Sequence, residues 1–457
     1  MIFTKSNIFK AWPAALLSIV VASSSLRSEE PLTLAQAVAR ALEHNPELAI
    51  DTPAIDAAKS DASASRAGYL PRIDFEQSFG GGNNPVYVFG TLLTQRRFTA
   101  ANFSLPGLNE PDPVKNLQTR ITAQQNIWDT GRTRRMNQMA QLGVEMVQRG
   151  HEENVRRTLL GVLDAYYSVS LAQEAWDTAR IAVESAEALV KQAQARVDSG
   201  LSVEADLLRS RVYLASAQQN EIQARGQIQI AAAALNRIMG SPIEAPMNKT
   251  TPLSPIAFPI TQEDTLRAEM RKQRPDYQRL QAELRQGEIE ARSRQMEFWP
   301  SVGAFAGWEM DNPSLSQYGG NNWIAGISLR WNLYAGGSDA ARLKAARERL
   351  EQKRRQLAAM ESAMDLELHR AIIQCQAVSQ QLKVAQTAES QSIESLRILK
   401  NRYEAGLATM TDLLSAETAR AMARTALAEA SYRYRLSYAQ IEYAAGILNP
   451  KSTALNP

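Results

Sequence analysis

The sequence predicts a mainly α protein with a small membrane β-barrel, and three observations carry that prediction. A phrase occurs twice, 206 positions apart: Arg196, Gly200-Leu201 and Asp206-Leu207-Leu208, then Arg402, Gly406-Leu407 and Asp412-Leu413-Leu414. Each copy sits between two very long stretches of helical periodicity, so the chain holds two copies of a helical hairpin. Between the helices of each half the apolar period switches from 3.6 to 2, which predicts four strands per chain.

The organisation follows from these marks. Residues 1–25 have the pattern of a signal peptide: Lys5 and Lys10, an apolar stretch from Ala11 to Ala22, then small residues. That stretch is too short to span a bilayer. Residues 31–240 form the first repeat and 263–448 the second, each reading helix, two strands, long helical hairpin. A proline-rich linker at 241–262 joins them, and 449–457 is a C-terminal tail. Asn45-Pro46 with Leu70-Pro71 is echoed by Arg274-Pro275 with Trp299-Pro300, and Trp128-Asp129-Thr130-Gly131 by Leu333-Tyr334-Ala335-Gly336.

The long helices are expected over 132–198 and from Ser338 to Tyr403, both without proline. At 1.5 Å per residue each reaches roughly 100 Å. A helix of that length must lie along partners for most of its course. Apolar residues recur three and four apart (Val155, Leu159, Val162, Tyr166, Val169), and alanine is frequent on the stripes. A hollow helical barrel and a solid bundle both fit this pattern.

The strands are expected at 72–79, 117–127, 301–308 and 323–333. In the last, Trp323, Ala325, Ile327 and Leu329 alternate with Ile324, Gly326, Ser328 and Arg330. Alternation over about ten residues suits a tilted strand crossing a bilayer. Four strands cannot close a barrel alone, and open edges in lipid leave backbone groups unsatisfied, so the chain must oligomerise. The segment 80–116, rich in Gly, Asn and Pro with Phe89, Phe98 and Phe103, and the shorter 309–322 are expected to be loops facing outside.

Composition narrows the function classes. The net charge of +3 is spread along helices, which gives no footprint for nucleic acid. The single Cys375 excludes a disulfide framework. His44, His151 and His369 are scattered, with no HExxH and no Gly-rich phosphate loop. No catalytic, cofactor or metal site is expected, and the chain is not expected to be an enzyme.

With these features in place, the chain resembles the TolC-like outer-membrane efflux proteins over nearly its whole mature length. The resemblance rests on the tandem repeat, Leu34 to Pro46, Leu70-Pro71, Asp129-Thr130-Gly131 and both Gly-Leu…Asp-Leu-Leu tips. It implies a homotrimer with a shared 12-stranded barrel in outer-membrane lipid and a trimeric helical barrel extending into the periplasm. It further implies passive export of small molecules or metal ions delivered by an inner-membrane pump through a periplasmic adaptor. A duct for type I protein secretion and a non-transporting trimeric coiled-coil envelope protein are the alternatives.

The resemblance also assigns residues. Gly200, Leu201, Gly406 and Leu407, with Arg196 and Arg402 beside them, match the adaptor-docking tips. Asp206, Asp412 and Tyr403 match positions near the periplasmic aperture. Ala408 and Ser415 stand where the family's best-known member has a gating arginine and a second aspartate. On physical grounds Asp206 and Asp412 fit either a charged ring in a pore or helix capping, and Arg402 or Arg196 could pair with Asp412.

Overall fold

Two helices of 67 residues dominate the computed structural model, which describes residues 31–247, 249–253, 258 and 262–455. The expected signal peptide lies outside the described residues, as do parts of the linker. In chain order the elements are α1 (Leu34–His44), α2 (Pro46–Ser65), β1 (Arg72–Gly82), α3 (Pro85–Thr94), α4 (Leu105–Asn109) and β2 (Val114–Trp128). Then come α5 (Arg132–Asp198), α6 (Glu204–Ile238), α7 (Glu263–Gln273), α8 (Pro275–Met296), β3 (Ser301–Asn312), β4 (Gly320–Arg330), α9 (Ser338–Glu404) and α10 (Met410–Ala444).

Local chemistry sets the helix limits. Thr33 and Gln36 form a reciprocal capping box that opens α1. Asn45 then caps α2, accepting from the backbone of Glu47 and Leu48, with Pro46 at the first helical position where its missing N–H costs nothing. Pro275 opens α8 in the same way.

The whole hairpin repeats at one offset. Arg132 and Ser338 begin the long helices, Asp198 and Glu404 end them, and each pair is 206 residues apart. The sequence alignment of Gly131 with Gly336 is therefore one residue out: Gly131 and Gly337 hold the same N-cap position, with φ of 77° and 78°.

The four strands form one antiparallel sheet in the order β1-β2-β3-β4. They differ from the expected limits. β1 runs on through Gly80 to Gly82, and β2 and β3 lengthen to match, because paired backbone satisfies N–H and C=O groups whatever the side chain. β4 ends at Arg330 rather than at 333. Its partner β3 starts at Ser301, after Pro300, which has no N–H to continue the ladder. Trp331 has already left the sheet and donates its indole N–H to the carbonyl of Phe298.

Register sorts the side chains onto two faces. Phe75, Ile121, Trp308 and Trp323 lie side by side in one row, and Ala304 with Ile327 in another of the same face. The opposite face carries Glu76, Arg120, Glu309 and Asn322 in a row, with an ion pair at 3.3 Å between Arg120 and Glu309. Ile73, Phe75, Phe79, Trp323, Ile327 and Leu329 are all more than half exposed, so the apolar face is bare in the single chain.

The largest apolar core lies midway along the helices, where α5 and α10 meet α1 and the ends of the linker. Tyr166 is buried there and donates its hydroxyl to the carbonyl of Leu32. Phe258 stacks on Tyr438 with ring centroids 4.1 Å apart. No helix among the described residues is long and apolar enough to cross a membrane.

Candidate functional site

Both helical tips are closed by the same backbone turn. The N–H of Leu201 reaches back to the carbonyl of Arg196 at 2.8 Å, and that of Leu407 to Arg402 at 2.8 Å. Between them Gly200 and Gly406 adopt φ of 71° and 72°. This is the six-to-one bond of a Schellman motif, which needs a left-handed residue and so a glycine. The repeated Arg, Gly-Leu spacing is the sequence signature of that turn. Leu201 and Leu407 stand out at the ends, 72% and 68% exposed.

Below the turns a small apolar cluster ties the two hairpins together. Leu207, Tyr403, Met410 and Leu413 are buried against Leu189, Ala193 and Leu396. The repeated Asp-Leu-Leu thus supplies one buried leucine per tip. Leu208, by contrast, is exposed.

The polar residues fall into two groups. In the first, the Arg196 guanidinium lies 4.9 Å over the Tyr403 ring and donates to the Tyr403 carbonyl at 3.1 Å. Asp206 stands close enough to act on the Tyr403 hydroxyl electrostatically; burial first, and Asp206 second, push that hydroxyl's pKa up, against the pull of Arg196. Asp206 itself accepts from Ser202 Oγ at 2.8 Å and lies 3.5 Å from Arg209. Arg209 also reaches Thr411 of the other tip at 3.4 Å.

In the second group Asp412 and Thr409 form a complete capping box. Asp412 Oδ2 accepts from the Thr409 N–H at 2.9 Å, and Thr409 Oγ1 accepts from the Asp412 N–H at 3.2 Å. The hydrogen bonds from the Thr409 hydroxyl and backbone, helped by the charge of Arg402, hold the Asp412 carboxyl below its ordinary value. Arg402 Nη2 meets the Leu407 carbonyl at 3.5 Å.

The structure therefore brings Arg196, Tyr403 and Asp206 together, and separately Arg402 and Asp412. Arg196 is engaged by Tyr403 and does not serve Asp412. The two aspartates differ because Val203 occupies the N-cap of α6, with no side-chain acceptor, whereas Thr409 occupies that of α10. Sequence reasoning missed Thr409, Ser202 and Arg209. The first was legible, since Thr409 and Asp412 have capping-box spacing; the cross-tip reach of Arg209 was not.

Comparisons with known proteins agree with this architecture. The family model described as outer membrane efflux protein matches residues 37–241 and 266–447. Alkaline protease secretion protein AprF of Pseudomonas aeruginosa is 24% identical over 434 residues, covering 90% of this chain and 83% of AprF. Outer membrane protein TolC of Escherichia coli is 24% identical over 455 residues, covering 95% and 86% respectively. The Campylobacter jejuni CmeC outer membrane channel superposes with a TM-score of 0.77 at 17% identity, covering 99% of this chain and 96% of CmeC.

Proposed function

The chain belongs to the outer membrane efflux protein family, and from that premise we propose that three copies assemble into a passive duct from the periplasm to the cell exterior. Small molecules or metal ions enter from an inner-membrane pump through a periplasmic adaptor docked on the helical tips. The family is one of efflux channels rather than enzymes, and its members lie in the outer membrane with a periplasmic extension.

The observation that carries the reading is the four-stranded sheet with one bare apolar face and both edges, β1 and β4, unpaired among the described residues. An even number of alternating strands places β4 of one copy antiparallel to β1 of the next. Three copies then close twelve strands with no edge left in lipid. The apolar rows face lipid, and the Arg120 and Glu309 rows face the lumen.

At the other end, the exposed Leu201 and Leu407 on their glycine turns offer the adaptor two apolar contacts per chain. The groups around Tyr403 and Asp412 set the aperture. Protein secretion through the same duct is the second reading, favoured by the likeness to AprF, whose name describes alkaline protease secretion.

Oligomeric mass and single-channel conductance of the detergent-extracted outer-membrane protein test the proposal. A conducting trimer is the expected result. A monomer without conductance would overturn it.

A further inference from the structure

The segment between β1 and β2, residues 83–113, folds across the inner face of the sheet. We propose that it forms an outer constriction of the duct, separate from the helical tips, that passes small solutes and excludes polypeptides. The inference rests on the duct reading and assigns the class of cargo.

Side-chain parity fixes which face the segment occupies. Asn116 and Gln118 lie on the same face as Arg120 and Glu309, opposite the row of Trp308 and Trp323. Gln95 is buried on that inner face, where its Nε2 donates to Asn116 Oδ1 at 2.9 Å and to the Lys115 carbonyl at 2.8 Å. Asn116 passes the contact on to Asp311 at 2.6 Å, and Gln118 meets Asp311 at 3.2 Å. A buried network of this kind is costly to break, so the segment is fixed rather than loose.

Glycines on the edge strands make room for it. Gly320 pairs with Asp311 and shares its face. A Cβ there would lie 2.1 Å from the Thr94 carbonyl oxygen, so the segment rests directly on that backbone. Arg96 Nη2 bonds the carbonyl of the next residue, Asn321, at 2.9 Å. On the other edge, a Cβ at Gly82 would touch the Tyr87 ring at 3.7 Å. The segment therefore bridges the arc from β1 to β4, and three copies cover the full circumference.

The segment also bares large apolar side chains. Phe98 packs edge-to-face between Phe89 and Phe103, at 4.9 and 5.4 Å. Val86, Phe103 and Leu105 are left mostly exposed. Large apolar side chains bare on a water-filled pore are disfavoured, which fits contact among the three segments near the axis.

The test places one cysteine in the lumen on the periplasmic side of the segment, Thr122→Cys, in a Cys375→Ala background. Intact cells are treated from outside with a small charged maleimide and with polyethylene glycol maleimides of increasing length. The expected result is labelling by the small reagent and loss of labelling by the longest. Replacing 83–113 with a short glycine-serine turn should restore labelling by the longest reagent. Gly320→Val, which displaces the segment without deleting it, should restore part of it and guards against a deletion that fails to fold. Equal labelling by all reagents without either change would overturn the proposal, as would exclusion of the longest reagent that persists in both variants. Failure of the small reagent in every form would instead overturn the duct reading, and the constriction with it.

Discussion

The guanidinium of Arg196 lies 4.9 Å above the ring of Tyr403 and bonds the same residue's carbonyl, so a side chain of the first repeat clasps the end of the long helix of the second. This contact crosses between hairpins at the level of the proposed aperture. The clasp uses the ring and the backbone, not the hydroxyl: among the described residues the Tyr403 hydroxyl has no hydrogen-bond partner. Tyr403→Phe is therefore expected to leave tip stability nearly unchanged. Tyr403→Ala should lose the buried ring at a cost of about 3 kcal/mol. A double-mutant cycle of Arg196→Ala with Tyr403→Ala, read by tip hydrogen exchange, should give a coupling of about 0.5–1 kcal/mol. Zero coupling would show that the stacking is incidental.

Gly406 is expected to tolerate asparagine and resist valine. Its φ of 72° is open to Asn, but a β-branched residue there is strained by about 1–2 kcal/mol, while no atom of the described residues lies within 4 Å of the place a Cβ would take, so no clash adds to the strain. Gly406→Val should reduce export while trimers persist in the membrane, and Gly406→Asn should export normally. Normal export by the valine variant would remove the turn from any docking role.

Asp412 separates two roles that one substitution can distinguish. Asp412→Asn keeps an oxygen for the Thr409 N–H but removes the charge, and Thr409→Ala removes the cap, at about 1 kcal/mol, but keeps the charge. If the carboxylates form a charged ring, cation selectivity in planar bilayers falls in Asp412→Asn and survives in Thr409→Ala. The reverse pattern would leave Asp412 as a cap alone. The pH dependence has a definite sign: with its carboxyl held below the ordinary 3.8, Asp412 contributes stability that is present above that value and lost as pH falls through the lower folded value.

Much of this architecture was legible because it is written in spacing. The duplicated Arg, Gly-Leu, Asp-Leu-Leu phrase encodes a Schellman turn followed by a buried leucine, and both are local. Alternation marked the strands, whose inner and outer faces follow from parity alone. What spacing does not encode is contact between distant segments. Nothing near Gln95 announces Asn116 and Asp311, and the glycines and asparagines of 80–116 read as a plain loop although they carry α3 and α4. The symmetry of the tips misled in the same way, because Val203 and Thr409 give two matching aspartates different partners.

The two faces of β4 should respond oppositely to charge. Ile327 lies in the apolar row with Ala304, and Ile327→Arg is expected to cost about 2–4 kcal/mol near the bilayer midplane. Its neighbour Ser328 lies on the opposite face, the lumen side of the proposed duct, so Ser328→Arg should assemble normally and alter conductance. Heat resistance of the trimer on gels reads both. Equal loss in the two variants would mean that the sheet does not meet lipid on one side only.

Arg274, itself buried, joins the start of α8 to the middle of α9 and the end of α10. It donates to Asp276 at 2.6 Å, to Glu367 at 2.6 Å and to the Ala444 carbonyl at 3.3 Å. Burial opposes its charge, but the bonds to Asp276 and Glu367 outweigh burial and raise its pKa. Burial would likewise raise Asp276, and the bonds from Arg274 outweigh it and lower that carboxyl. Glu367 is partly open to solvent and adds less. Arg274→Ala strands a half-buried carboxylate and is expected to cost about 3 kcal/mol, whereas Arg274→Met with Asp276→Leu removes both charges and should recover most of that loss. Because Asp276 is depressed, the pair's contribution is complete above the ordinary carboxylate range and fades as pH falls through the lower folded value, so the deficit of Arg274→Ala should shrink in acid. Thermal unfolding of trimers at neutral and acid pH measures it, and a deficit that does not change with pH would assign Arg274 to packing rather than to charge.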